Sequence, residues 1–278
     1  MFRSLIVLLF LLFSAPSAFA GLGEPITDAR ASSLGYSSTL LGGAYAIFHN
    51  PAMLIGSPGA TVGISVGNKF LISDIKAYGV AAVVPTGSGS FGLGIYQEGI
   101  PSFKESHLAL GYGRLITDGL SIGAEFDVFN VNIENHGSTT NFTFGIGMKY
   151  EINNRITVGA HLFNPLNGSF SDSDFDRIPA SIRIGLMYAP SEKVRVLLEA
   201  EKNSLFPAHF KGGLEYNILP AFVVRGGFST APASFHFGFG LKTQNLLIDF
   251  SDSFHPTLGH TPQITVAFQA NPRKSKEN

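Results

Sequence analysis

No cysteine and no tryptophan occur in this sequence, and only 14% of its 278 residues are charged. Without cysteine there is no disulfide, no thiolate metal site and no thiol for a lipid anchor. Nineteen basic and twenty acidic residues leave a net charge of −1, so nothing marks out a nucleic-acid-binding face. Beyond the first twenty residues no second long apolar run exists, and no membrane-spanning helix is expected. After residue 58 there is no clear helical period and no linker of the kind that separates domains. Without tryptophan, any aromatic girdle at a membrane interface must use tyrosine and phenylalanine.

Apolar residues make up 45% of the chain, and there are 32 glycines. The first twenty residues, MFRSLIVLLFLLFSAPSAFA, have a basic Arg3, an apolar core over 5–13 and a small-x-small end at Ala18-Phe19-Ala20. That core is too short to cross about 30 Å of hydrocarbon. The pattern is that of a cleaved export signal over 1–20.

From residue 59 the sequence alternates. Phe142, Phe144, Ile146, Met148 and Tyr150 share one face, with Thr143, Gly145, Gly147 and Lys149 on the other. Phe235, Phe237, Phe239 and Leu241 likewise oppose His236, Gly238, Gly240 and Lys242. Side chains of a strand alternate between faces. The polar face is mostly glycine, serine and threonine rather than the lysine and glutamate of a soluble exterior. Fourteen such strands are predicted, joined by connections that alternate short (TDG, INNR, PSE) and long (QEGIPSFKES, ENHGST, NPLNGSFSDSDFDRIP). These features predict an all-β, 14-stranded antiparallel transmembrane barrel over 59–270, in a bacterial outer membrane and contacting its lipids. An eight-residue polar tail, 271–278, is expected on the periplasmic side.

Residues 21–58 fit neither a strand nor a solvated linker. ARASSLGYSSTLLGGAYAIFHNPAML, over 29–54, is nearly uncharged and ends in a turn-forming Asn-Pro. A segment of this kind needs an enclosure, and the reading is a short plug, or hatch, in the barrel lumen. The inward positions carry balanced charge. Glu125, Asp127, Glu199, Glu201, Glu215 and Asp249 face Lys149, Arg183, Arg195, Lys211, Arg225 and Lys242. Buried charges must be paired, and a wide selective pore more often carries a bias of one sign. A filled lumen, cross-linked by ion pairs among these twelve or to plug backbone, is expected.

The plug region also carries a resemblance. Ala29-Arg30-Ala31, Leu34-Gly35, Phe48-His49-Asn50-Pro51-Ala52 and Leu54 resemble the N-terminal hatch of the FadL-like outer-membrane barrel superfamily, and more closely its PorV/PorQ branch. Met53 stands where that pattern commonly has glycine. Arg177-Ile178-Pro179, Arg183-Ile184-Gly185, Gly213-Leu214-Glu215-Tyr216, Arg225-Gly226-Gly227 and Leu258-Gly259-His260 extend the similarity along the chain. The resemblance implies a fourteen-stranded barrel with an internal hatch. It leaves two functions open, because the superfamily includes transporters of hydrophobic compounds and components of the type IX secretion system.

Arg30, Phe48, His49, Asn50, Pro51 and Ala52 are the candidate hatch or gate residues. Turn chemistry alone accounts for them; the alternative is a gate in which Asn50 bonds to the wall until displaced. Gly63-Ile64-Ser65-Val66-Gly67 matches a hydrolase nucleophile pattern, but it lies within a strand and lacks the strand–turn–helix setting. The Gly-x-Gly pairs at 92/94, 111/113, 145/147 and 238/240 precede no helix and read as inward gaps rather than dinucleotide loops. His255, His260 and Asp252 match no strong metal motif and read as loop residues. No catalytic residue, metal or cofactor is predicted. The polar, acidic 164–179 loop and the balanced lumen favour a non-enzymatic partner of a secretion or surface assembly. The alternative is a transporter or channel for a small hydrophobic ligand.

With both termini periplasmic, a cysteine at Ser171 is expected to react with an impermeant thiol reagent on intact cells and one at Asn154 is not. Reversed labelling would invert this topology.

Overall fold

The computed structural model describes residues 27–166 and 178–270. The predicted signal at 1–20, the first plug residues, most of the 164–179 loop, Arg177 and the tail at 271–278 lie outside the described residues.

Fourteen strands follow an N-terminal inner segment: β1 Ala60–Asn68, β2 Lys76–Pro85, β3 Ser90–Ile100, β4 Phe103–Thr117, β5 Leu120–Ile133, β6 Gly137–Asn153 and β7 Ile156–Phe163. The second half comprises β8 Ser181–Ser191, β9 Val194–Asn203, β10 His209–Leu219, β11 Phe222–Thr230, β12 Ala233–Lys242, β13 Leu246–His255 and β14 Gly259–Ala270. Every strand pairs antiparallel with its sequence neighbours, and β1 closes on β14 from Ala60↔Ala270 to Gly67↔Gln263. Closure removes the unpaired edges that an open sheet would present.

The predicted faces are the observed ones. Ile64, Ile146 and Phe235 are 57%, 52% and 66% exposed, whereas their neighbours Ser65, Gly147 and Ser234 are buried. Such an apolar exterior is stable in hydrocarbon and not in water. The predicted alternation of short and long connections does not hold. β3 runs to Ile100 and β4 begins at Phe103; β5 runs to Ile133 and β6 begins at Gly137. Ladder pairing needs backbone groups and not apolar side chains, so polar residues read as loops extend the strands. Asn135 and Gly137, both at positive φ, close one of these tight turns. The 164–180 connection stays long.

Residues 27–58 lie inside the barrel. A short helix, α1 Ala29–Ser33, packs against β11 to β14. Single 3-10 turns follow over Ala44–Phe48 and Pro51–Gly56. Leu40, Tyr45, Ile47, Met53 and Leu54 form the main apolar core with Ala81, Val83 and Ala109 of the wall. The inner segment therefore supplies most of the barrel's core.

Glycines set how closely this segment approaches the wall. A Cβ at Gly123 would stand 2.4 Å from the Pro51 carbonyl carbon, one at Gly147 1.9 Å from Asn50 Oδ1, and one at Gly227 2.3 Å from the Gly35 nitrogen. The Gly-x-Gly pairs at 92/94 and 111/113 lie under Ile47, Phe48, Pro51 and Leu54. Gly145 leaves room for Glu125 and His161, and Gly238 for Ser33.

Gly123→Val is expected to push the Pro51 backbone off β5, at a cost of about 1–3 kcal/mol or more. Gly56→Ala, where a Cβ meets nothing within 4 Å, is the matched control. Heat-modifiable gel migration and limited proteolysis at 27–58 measure both. Equal behaviour of the two variants would refute the close approach.

Candidate functional site

The inner segment holds itself together through its polar residues. Asp28 is the N-cap of α1, its Oδ2 accepting the Ala31 N–H at 3.0 Å. Its Oδ1 lies 2.8 Å from His49 Nε2, tying the start of the segment to its far end. Burial disfavours the Asp28 carboxylate, but the hydrogen bond and charge of His49 and the Ala31 N–H outweigh it and hold its pKa below the ordinary 3.8. A lowered carboxylate pKa stabilises the fold at neutral pH, and that contribution is lost as pH falls through and below the ordinary value.

Asn50, fully buried, makes three hydrogen bonds. Its Oδ1 accepts the Ala52 N–H at 3.0 Å, capping the 3-10 turn that Pro51 opens. Its Nδ2 donates to the Thr39 carbonyl at 2.9 Å and to the Met148 carbonyl of β6 at 3.2 Å. The turn role and the wall contact, weighed above as alternatives, coexist in one side chain. Phe48 sits over Gly94 and meets His107 and Tyr96 edge-on.

The twelve inward charges divide into two groups. On the β9–β13 side Glu215 accepts from Arg30 at 3.1 and 3.2 Å, Arg195 at 2.8 Å and Arg225 at 2.8 Å. Arg225 also reaches Asp249 at 2.6 Å. The Lys211 ammonium lies 2.6 Å from Glu201 and 3.5 Å from Glu199. Glu199 accepts the backbone N–H groups of Ser38 and Thr39, each at 2.8 Å. Arg30 and Glu199 therefore carry the expected links between wall and inner segment.

The remaining charges depart from the expected pairing. Arg183 donates to His161 Nδ1 at 2.6 Å, and His161 Nε2 donates in turn to Glu125 at 2.7 Å, over the bare Gly145 of β6. Asp127 takes His107 at 2.7 Å. Lys149 pairs with Glu151 at 2.5 Å, and Lys242 is exposed at the end of β12 with no ion pair among the described residues. A pattern of fixed charges alone does not reveal these histidines. Their inward parity on β4 and β7 was a usable signal.

Ser65 lies inside β1, its Oγ accepting from Gln263 at 2.8 Å and Thr265 at 3.0 Å across the β1–β14 seam. Thr265 Oγ1 in turn accepts the Ala29 N–H at 2.8 Å. His255 Nδ1 accepts the N–H groups of Thr257 and Leu258, and His260 pairs with Asp252 at 2.5 Å.

No family model matches the chain, and no curated protein matches it by sequence. Solved structures do match. A TodX deltaS2S3 mutant, a monoaromatic hydrocarbon channel, superposes with a TM-score of 0.68 at 14% identity, covering 86% of this chain and 97% of that one. A Pseudomonas aeruginosa FadL homologue gives 0.64 at 12% identity, over 90% and 100%. The Pseudomonas putida toluene transporter TodX gives 0.61 at 13%, over 87% and 98%. At these identities the likeness is one of fold: this chain has the fold of FadL-type outer-membrane barrels. It does not bear on the PorV/PorQ branch.

Asn50→Ala leaves the Thr39 and Met148 carbonyls and the Ala52 N–H without these partners. A loss of about 1–3 kcal/mol is expected from buried groups so orphaned. Thermal unfolding in detergent reads it. A midpoint unchanged from the native protein would mean that Asn50 does not bear on the closed arrangement.

Proposed function

We propose that this protein is a non-enzymatic outer-membrane channel for small hydrophobic compounds, exported by its signal sequence and closed at rest by residues 21–58 acting as a hatch. The observation that carries this reading is the inner segment bonded across the lumen of a barrel whose fold is shared with a monoaromatic hydrocarbon channel and a toluene transporter. The sequence alone favoured a secretion partner, on the polarity of the 164–179 loop and the balanced lumen. Balanced charge is equally what a closed hatch needs, since Arg30 and Glu199 use it to hold the segment. The structural likeness supports the transport alternative, and no observation here favours a secretion partner.

The bonds to the wall divide the hatch into two anchored parts. Arg30 on Glu215 fixes α1, and Asn50 on β6 fixes the second 3-10 turn. Between them Gly42 and Gly43 give the chain freedom, Gly43 at φ +115. Opening starts on the Asn50 side, which meets the wall through one neutral hydrogen bond to β6 and apolar packing, with no ion pair to break there.

In a planar bilayer the full-length protein is expected to show little steady conductance, and Asn50→Ala more. Arg30→Ala should exceed the native protein too, with a greater loss of stability. Cells expressing the protein should accumulate labelled toluene faster than cells without it. Equal uptake by both would overturn the channel reading, and native conductance equal to that of both variants would overturn the hatch.

A further inference from the structure

The lipid-facing side of the barrel is not uniform at its seam. The β1–β14 ladder stops at Gly67↔Gln263, while β13–β14 pairing continues to His255↔Gly259. The next β14 residue is Pro262, which has no N–H to offer a partner. Beyond Asn68 the chain leaves the sheet in a 3-10 turn over Lys69–Leu71, with Phe70 and Leu71 at φ 57 and 55. Phe70 N–H bonds the Thr261 hydroxyl at 3.1 Å instead of a strand carbonyl. A cleft of about 420 Å³ results, spanning β2, β1, β14 and β13. That is within the range of small-ligand sites, about 300–1,000 Å³.

The cleft has two chemically distinct ends. Val66, Tyr78, Phe250 and Ile264 make its apolar length on the outward face. At the end away from the chain termini lie Asn68 and Lys76, a cross-strand pair on the same outward face. Asn68 Oδ1 is buried and has no hydrogen-bond partner. A buried acceptor left unpaired is costly, so a donor is called for. Lys76 is exposed, and no acidic group among the described residues pairs with it. An apolar trough ending in a cation and an orphan acceptor matches an amphiphile whose head carries both an anion and a hydroxyl donor.

We propose that this cleft is a specific site for one phosphate-bearing membrane lipid. One acyl chain lies along Val66, Ile264 and Phe250. The phosphate meets the Lys76 ammonium, and a headgroup hydroxyl donates to Asn68 Oδ1. The lipid covers the end of the seam, where β14 keeps its β13 partner but has lost β1. This site faces the bilayer and is independent of the hatch and of the channel reading.

Native mass spectrometry of the detergent-purified protein, titrated with phosphatidylglycerol or with phosphatidylcholine, tests it. Phosphatidylglycerol has the anion and the hydroxyls; phosphatidylcholine has no hydroxyl and no net charge. One phosphatidylglycerol per chain is expected to bind in preference. Lys76→Gln should weaken it about fivefold, the worth of one lysine near an anionic headgroup. Asn68→Leu should reduce the preference while leaving the barrel folded, because it removes an unpaired acceptor rather than a used one. Val66→Trp, which fills the trough, should release the bound lipid, with unchanged heat-modifiable migration as the check on folding. Equal binding of the two lipids, or affinity unaffected by Lys76→Gln and Val66→Trp, would overturn the site. Displacement of phosphatidylglycerol by equimolar oleate would also overturn it, since the occupant would then be a passing amphiphile.

Discussion

The Asn50-Pro51-Ala52 turn lies so close to the barrel wall that a Cβ at 113 or 123 would strike its backbone and one at 147 the Asn50 side chain. This close approach is the constraint on which the interior depends. It allows a single amide, that of Asn50, to cap its own turn and still reach the Met148 carbonyl. It brings Ile47 and Leu54 down onto Ala81, Val83 and Ala109, which gives the barrel an apolar core that its polar inner wall does not make alone. Glycine in a strand costs conformational entropy and packs nothing itself. The inner segment offsets that loss by filling the space, so wall and segment specify each other.

Charge is used differently on the two sides of the lumen. On the β9–β13 side, arginines converge on Glu215, and one of them, Arg30, belongs to the inner segment. On the β4–β8 side the carboxylates of Glu125 and Asp127 meet neutral-capable histidines, and the segment presents the aromatic ring of Phe48 to His107. An ion pair breaks only at the cost of leaving a charge uncompensated. An aromatic edge contact or a neutral hydrogen bond separates more easily. The lumen thus holds the segment by arginine ion pairs on one half and by neutral hydrogen bonds, aromatic contacts and apolar packing on the other, and the division follows from which residue types face inward on which strands.

Much of this was legible in the sequence. All fourteen strands and their outward faces follow from a period of two, because nothing but strand pairing puts Phe235, Phe237 and Phe239 on one side and His236, Gly238 and Gly240 on the other. The enclosure of 29–54 was legible from its composition. The outer connections were misjudged because pairing continues through polar residues such as Lys104 and Thr139, where side-chain pattern carries no signal. The site was half legible. Asn50 and Arg30 stood out, whereas the partners of Glu125 and Asp127 did not. His161 reaches Glu125 only across Gly145, and that three-strand geometry depends on register, which single strands do not encode.

The seam between first and last strands joins these features. In a closed barrel it is the one ladder formed between residues some two hundred positions apart, so no hairpin turn sets its register. At the end near the chain termini it is backed from inside. Thr61 bonds Ser57 and Gln269, Tyr45 covers Gly63, and further along the seam Thr265, opposite Ser65, holds the Ala29 N–H. There the inner segment packs against the closed ladder from within. At the opposite end Asn68 and Pro262 no longer pair, and Ser65 with Gln263 is the last polar link from β1 itself. The β1–β14 ladder that closes the barrel is therefore flanked differently at its two ends: by protein packing from within near Ala60 and Ala270, and at the other end by an outward-facing cleft whose Asn68 acceptor lacks a protein partner.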